Sequence, residues 1–128
     1  MVNIDDIIGD LLPIVSKCMK YAGRKPMLVD AKADRSIKVE NQAYCEYLGD
    51  SFGVRWFSIT YHPSLEQDER ALITMLSHEL IHAVQYARGD KFDHSLPYSQ
   101  QPHEIEAYNL EGVVADSYFS LKNPKVTP

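Results

Sequence analysis

Between Pro63 and Gly89 the chain has the pattern of one long helix, and that helix carries two histidines a turn apart. Pro63 ends whatever precedes it. Ser64 with Gln67 three residues on has the form of a capping box, and Glu66, Asp68 and Glu69 suit the positive end of the helix dipole. Gly89 is a natural stop, so the spacing predicts a helix from about Leu65 to Arg88. Leu72, Leu76, Leu80, Ala83 and Ala87 lie near one side of it, which is expected to be its core face. His78 and His82 lie about 40° apart on the other side, one turn above each other. Met75 and Gln85 share that side.

The stretch His78-Glu79-Leu80-Ile81-His82 reads H-E-x-x-H. Two imidazoles at this spacing can meet one ion. Glu79 projects beside them, where it can touch a metal-bound water without ligating the metal. Zinc lowers the pKa of bound water toward ~7, and a nearby carboxylate can then take its proton. Chance alone would give the pattern in under about one in a hundred chains of this length, so it outweighs the plainer reading of two surface histidines.

A catalytic zinc usually takes three protein ligands and keeps a fourth position open. Downstream of the helix the candidates are His94, His103, Glu104 and Glu106. Pro102 suits the first position of a last helix, expected over about 102–121. Glu104 and Glu106 would lie about 160° apart on it, so only one can face an ion. Glu104 shares its side with Tyr108, Glu111 and Ala115, and Glu106 with Leu110 and Val113. Wheel geometry alone leaves both open.

The rest of the chain supplies a scaffold. Asn3 can cap a first helix, in which Ile4, Ile7, Ile8, Leu11, Val15, Cys18 and Met19 recur at helical spacing. Pro13 is expected to kink it and Gly23 to end it. Residues 27–62 are rich in β-branched and aromatic side chains and broken by turn signals at Ala33-Asp34 and Gly49 to Gly53. They predict three or four short antiparallel strands, with Gln42 to Tyr47 as a possible short helix. The alternation of Val54, Trp56, Ser58 and Thr60 with Arg55, Phe57, Ile59 and Tyr61 gives the last strand two unlike faces. The expected class is α+β, one domain over residues 1–128, with 122–128 as an extended tail that its two prolines keep out of a helix.

Composition narrows the partners. The net charge is −5 and no basic stripe is present, so nucleic acid is not expected. No apolar run reaches membrane-spanning length. The first residues are acidic where a signal peptide would be basic, so a cytoplasmic protein is expected. Cys18 and Cys45 make neither a disulfide framework nor a C-x-x-C pair, and read as reduced thiols.

HELIH followed by a carboxylate-bearing second helix resembles the gluzincin metallopeptidases, whose third ligand is a Glu on a later helix, often in an E-x-x-A pattern. Glu104-Ile105-Glu106-Ala107 matches with Glu104 in the ligand place. The layout of helix, small sheet, H-E-x-x-H helix and ligand helix resembles the minigluzincins, a compact zincin-like fold. The stretch from Trp56 to Tyr86 also looks like the first half of SprT-like zinc domains, whose third ligand is a His, and that would point to His94.

What the gluzincin resemblance implies is a zinc-dependent peptidase acting on a peptide or protein. His78, His82 and Glu104 would hold Zn2+, and Glu79 would be the general base. Gluzincins often place an Asp four residues after the ligand Glu to orient the first His; here that place holds Tyr108, with Glu111 as a possible substitute. The resemblance also suggests that the C-terminal segment could block the cleft. The strand before the site helix is a candidate peptide-binding edge, with Trp56, Phe57 and Tyr61 shaping pockets. The competing expectation is a non-catalytic module that docks a protein partner. In it His94 or His103 would close a structural zinc site, or the fold would only bind peptides.

Overall fold

A computed structural model describes residues 3–23, 25–38 and 42–123 of the chain. Helix α1 runs Ile4–Cys18. The Asn3 side chain accepts from the Asp6 N–H and starts it, as the sequence predicts. Ile7, Ile8, Leu11 and Val15 form its buried stripe, and the helix continues through Pro13. It ends five residues before Gly23. Lys20 takes a left-handed φ of 53° and Tyr21 N–H returns to Ser16 O, so a lysine turns the chain where a glycine was expected.

Three strands follow among the described residues: β1 (Met27–Ala33), β2 (Ala43–Ser51) and β3 (Val54–Tyr61). Phe52 and Gly53 both have positive φ, at 54° and 75°, which makes the two-residue turn that reverses β2 into β3. The hairpin is antiparallel, with a register irregularity between Tyr47 and Gly49. β1 lies on the other side of β3 and runs parallel to it, giving the order β1-β3-β2. The all-antiparallel sheet expected from the sequence is therefore corrected to a mixed one. Alternation reports which side chains share a face; it carries no information on a strand's neighbour or direction. The possible helix over Gln42 to Tyr47 is strand from Ala43, and residues 39–41 of the β-rich stretch lie outside the described residues.

The start of helix α2 (Glu69–Arg88) also differs from expectation. Pro63–Gln67 forms a separate 3-10 turn, whose Ser64 N–H bonds to His62 Nδ1. Asp68 then caps α2, its carboxylate accepting from Ala71 N–H. A carboxylate in extended backbone is a strong cap, and it displaces the Ser64 start. Gly89, at φ 92°, ends α2 where the sequence predicts.

Leu72, Leu76, Leu80 and Ala83 are buried, and so are Ile73, Ile81 and Val84. A one-sided stripe does not describe this helix. It runs through the middle of the molecule, packed on α1 and the sheet and, on its other flank, on α3 (Pro102–Lys122). Val29, Phe57, Ile59 and Tyr61 of the sheet join Leu11, Leu76, Leu80, Val114 and Tyr118 of the helices in one core. Burying each of the large aliphatic groups contributes roughly 1.5–3 kcal/mol. The result is an α+β fold. No helix among the described residues is long and apolar enough to cross a membrane.

Candidate metal centre

The side of α2 that bears the histidines faces α3. Because α3 begins at Pro102, its first turn lies beside the last turns of α2, and Glu104 projects between the two rings. His78 Nε2 lies 2.9 Å from Glu104 Oε1, His82 Nε2 lies 3.0 Å from the same oxygen, and the two Nε2 atoms are 3.1 Å apart. His78 and Glu79 are only 5% and 6% exposed.

The hydrogen bonds behind the rings assign their protons. Gln85 is fully buried, and its amide nitrogen donates to His103 O and to Glu106 Oε1, both at 2.9 Å. Its Oε1 must then accept, and it lies 2.7 Å from His82 Nδ1. His78 Nδ1 lies 2.9 Å from Glu111 Oε1, a carboxylate that can only accept while ionised. Both neutral rings therefore carry their proton on Nδ1. Burial holds His82 below the ordinary histidine pKa, which keeps that ring neutral near pH 7.

With both rings neutral, three lone-pair atoms, two nitrogens and one carboxylate oxygen, point at one another. Such a group repels itself unless a cation or an added proton enters. Ligand atoms of a tetrahedral zinc at ~2.0–2.1 Å are about 3.3 Å apart, close to the spacing found here. Two imidazoles and one carboxylate fit that ion, and no other His, Cys, Asp or Glu among the described residues joins them.

The remaining candidates fall elsewhere. Glu106 pairs with Arg88 and receives the Gln85 amide, so it backs the site without facing it. His103 is buried, stacks on Phe92 with ring centres 4.5 Å apart, and approaches the outer oxygen of Glu104 only to 3.9 Å. Its Nδ1 is buried and has no hydrogen-bond partner among the described residues. The His94 ring packs against His103 at 5.4 Å between centres. Tyr108 lays its ring against His78 and shares a hydroxyl contact with Tyr98 at 3.1 Å; it accepts nothing from His78, whose partner is Glu111.

A cavity of about 780 Å³ opens over the cluster. Met75, Glu79 and Glu111 line it from the helices, Phe92, His94 and Tyr98 from the loop between α2 and α3, and Ala43, Tyr44 and Cys45 from β2. Burial, followed by the charges of Glu104 and Glu111, pushes the Glu79 carboxyl up to about 8. Burial likewise raises the Cys45 thiol well above its ordinary value. The strand beside the cavity is thus β2. β3, expected in that place from its position just before the site helix, is the central strand, paired on both sides, with Phe57 and Tyr61 in the core.

Two contributors were not assigned from sequence. Gln85 was placed on the histidine side of α2 but given no role; its i+3 position from His82 was the available signal. The β2 segment carried none, because strand order is not written in alternation. Residues 124–128, on which the expectation of a blocking tail rests, lie outside the described residues. Lys122 is tied to Asp10 of α1 and stands about 27 Å along α3 from Glu104. Comparison with family models, curated proteins and solved structures returns no match to this chain.

Proposed function

We propose that this protein is a zinc-dependent peptidase of a small, gluzincin-like kind. One observation carries the reading: the Nε2 atoms of His78 and His82 and Oε1 of Glu104 converge within 3.1 Å. His78, His82 and Glu104 would hold the ion. Bound there, zinc supplies Lewis acidity, making water acidic near neutral pH and polarising a carbonyl.

Glu79 takes a proton from the attacking water and delivers it to the leaving nitrogen. Glu79 lines the cavity beside the two histidines, where a carboxylate can reach a water at the cluster. Glu111 and Gln85 hold the two imidazoles in the Nδ1–H form, so that each ring presents a lone pair. β2 is an edge strand of the described sheet and lines the cavity through Ala43 to Cys45, so an extended peptide could add to it as a further strand.

A closed structural site would need a fourth protein ligand. The placement of His94 and His103 outside the cluster supports an open, hydrolytic site over a docking module. A Glu in third position also favours the gluzincin likeness over the SprT-like one. The test is Glu79→Gln: it is expected to retain zinc and to lose peptide hydrolysis by at least a hundredfold. Cleavage at the parent rate would remove Glu79 from the mechanism.

A further inference from the structure

Exopeptidases must hold a chain end, and they do so with charge: a cationic side chain for an α-carboxylate, or an uncommitted carboxylate for an α-ammonium. Among the described residues that line this cavity none is Lys or Arg, and the two histidines outside the cluster, His94 and His103, are packed on Phe92. Lys91 and Arg88 line a separate hollow on the far side of His103 and Glu106. The carboxyl groups in the walls are those of Glu79, Glu104 and Glu111.

Each of those carboxylates is already committed. Glu104 Oε1 faces both Nε2 atoms, Glu111 Oε1 holds His78 Nδ1, and Glu79 is the proposed base. A divalent ion bound at the cluster would be balanced by these carboxylates, so the site offers a free carboxylate no surplus positive charge. The other walls are neutral and largely aromatic, with Tyr44, Phe92, Tyr98 and Tyr108 around Met75.

The shape points the same way. β2 lines the cavity only through Ala43 to Cys45 and then continues to Ser51. A paired substrate strand can therefore run on for about 20 Å past the cluster on that side. An end-trimming site would close there. Instead Tyr47, stacked on Tyr86 with ring centres 4.5 Å apart, lies along the path, and both rings are exposed.

We infer that the cleft takes the interior of an extended polypeptide and cuts it as an endopeptidase, recognising neither chain terminus. This rests on the hydrolytic reading above and names its substrate class. Water adds across the peptide bond; the hydroxyl goes to the carbonyl carbon and the proton, through Glu79, to the nitrogen.

The test compares two mixtures of random twelve-residue peptides, incubated with zinc-loaded full-length protein and read by mass spectrometry. One mixture has free ends and the other is N-acetylated and C-amidated. Internal cuts are expected in both, at rates within about twofold. A free carboxylate one or two residues beyond the cut bond should slow cleavage at least tenfold. Release of single terminal residues, or sparing of the blocked mixture, would overturn the endopeptidase inference while leaving hydrolysis standing. Cleavage of neither mixture by protein with a full complement of zinc would overturn both.

Discussion

Gln85 Oε1 accepts the Nδ1 proton of His82 at 2.7 Å, one turn further along the same helix, while the other end of the same amide is bound to α3. A single buried side chain thereby sets the tautomer of a proposed ligand and ties the ligand's helix to the helix that brings Glu104. Replacing it with Leu or Met leaves His82 free to move its proton to Nε2, where it blocks the lone pair. Gln85→Met is expected to weaken zinc binding 10–100-fold, measured by chelator competition. It should also cost about 1–3 kcal/mol of stability, since His103 O and His82 Nδ1 lose a buried partner. Unchanged affinity would show that the amide only joins the helices.

The identity of the third ligand is decided by two substitutions that differ in position by two residues. Glu104→Gln removes the carboxylate from the three converging groups and should abolish stoichiometric zinc binding at micromolar metal. Glu106→Gln removes the partner of Arg88 and Gln85 and should leave the metal bound, with a modest loss of affinity through Gln85. Alanine at His94 should leave zinc content unchanged. Metal analysis of the three purified variants reads the outcome, and loss of zinc at His94 would transfer the assignment to a third histidine.

Glu79 burdens the metal-free fold. Its carboxyl is raised from an ordinary 4.5 to about 8, because burial and the charges of Glu104 and Glu111 oppose ionisation. Between those two values the unfolded chain has released the proton and the folded chain holds it. The folded state therefore binds more protons, and stability falls as pH rises through the window. Glu79→Gln carries no such term. Urea denaturation of metal-free protein should find parent and variant nearly equal at pH 4.5, with the variant ahead by a few kcal/mol at pH 8. A difference that does not change with pH would mean that Glu79 titrates normally.

Much of this site could be read before any coordinates, and the reasons are local. Helical spacing fixes where His78, Glu79 and His82 stand relative to each other, whatever packs around them. Pro102 and the roughly 160° separation of Glu104 from Glu106 leave the carboxylate that can face the histidines a choice between faces, and packing on α2 puts Glu104 there. What could not be read depends on distant partners. The parallel pairing of β1 with β3 is set by how the chain passes between them, so the cavity-lining strand was assigned to β3 when it is β2. Lys20 took the left-handed turn expected of Gly23 because the helix ended where its buried stripe ran out, after Val15 and Met19.

The same competition between local signals decided the start of α2, and it can be measured. Ser64 and Gln67 have the letters of a capping box, yet Ser64 Oγ is taken by His62 Nδ1 at 2.8 Å and the turn it begins is a short 3-10 helix. Asp68, at φ −135°, has the extended backbone of a cap, and its carboxylate lies 3.2 Å from Ala71 N. Asp68→Ala should therefore cost about 1 kcal/mol, from a lost cap bond and a lost charge at the helix N-terminus. Ser64→Ala should cost no more than a few tenths of that, because its hydroxyl caps nothing in α2. Chemical denaturation of both variants tests the assignment, and a larger loss at Ser64 than at Asp68 would move the start of the helix back to the capping-box position.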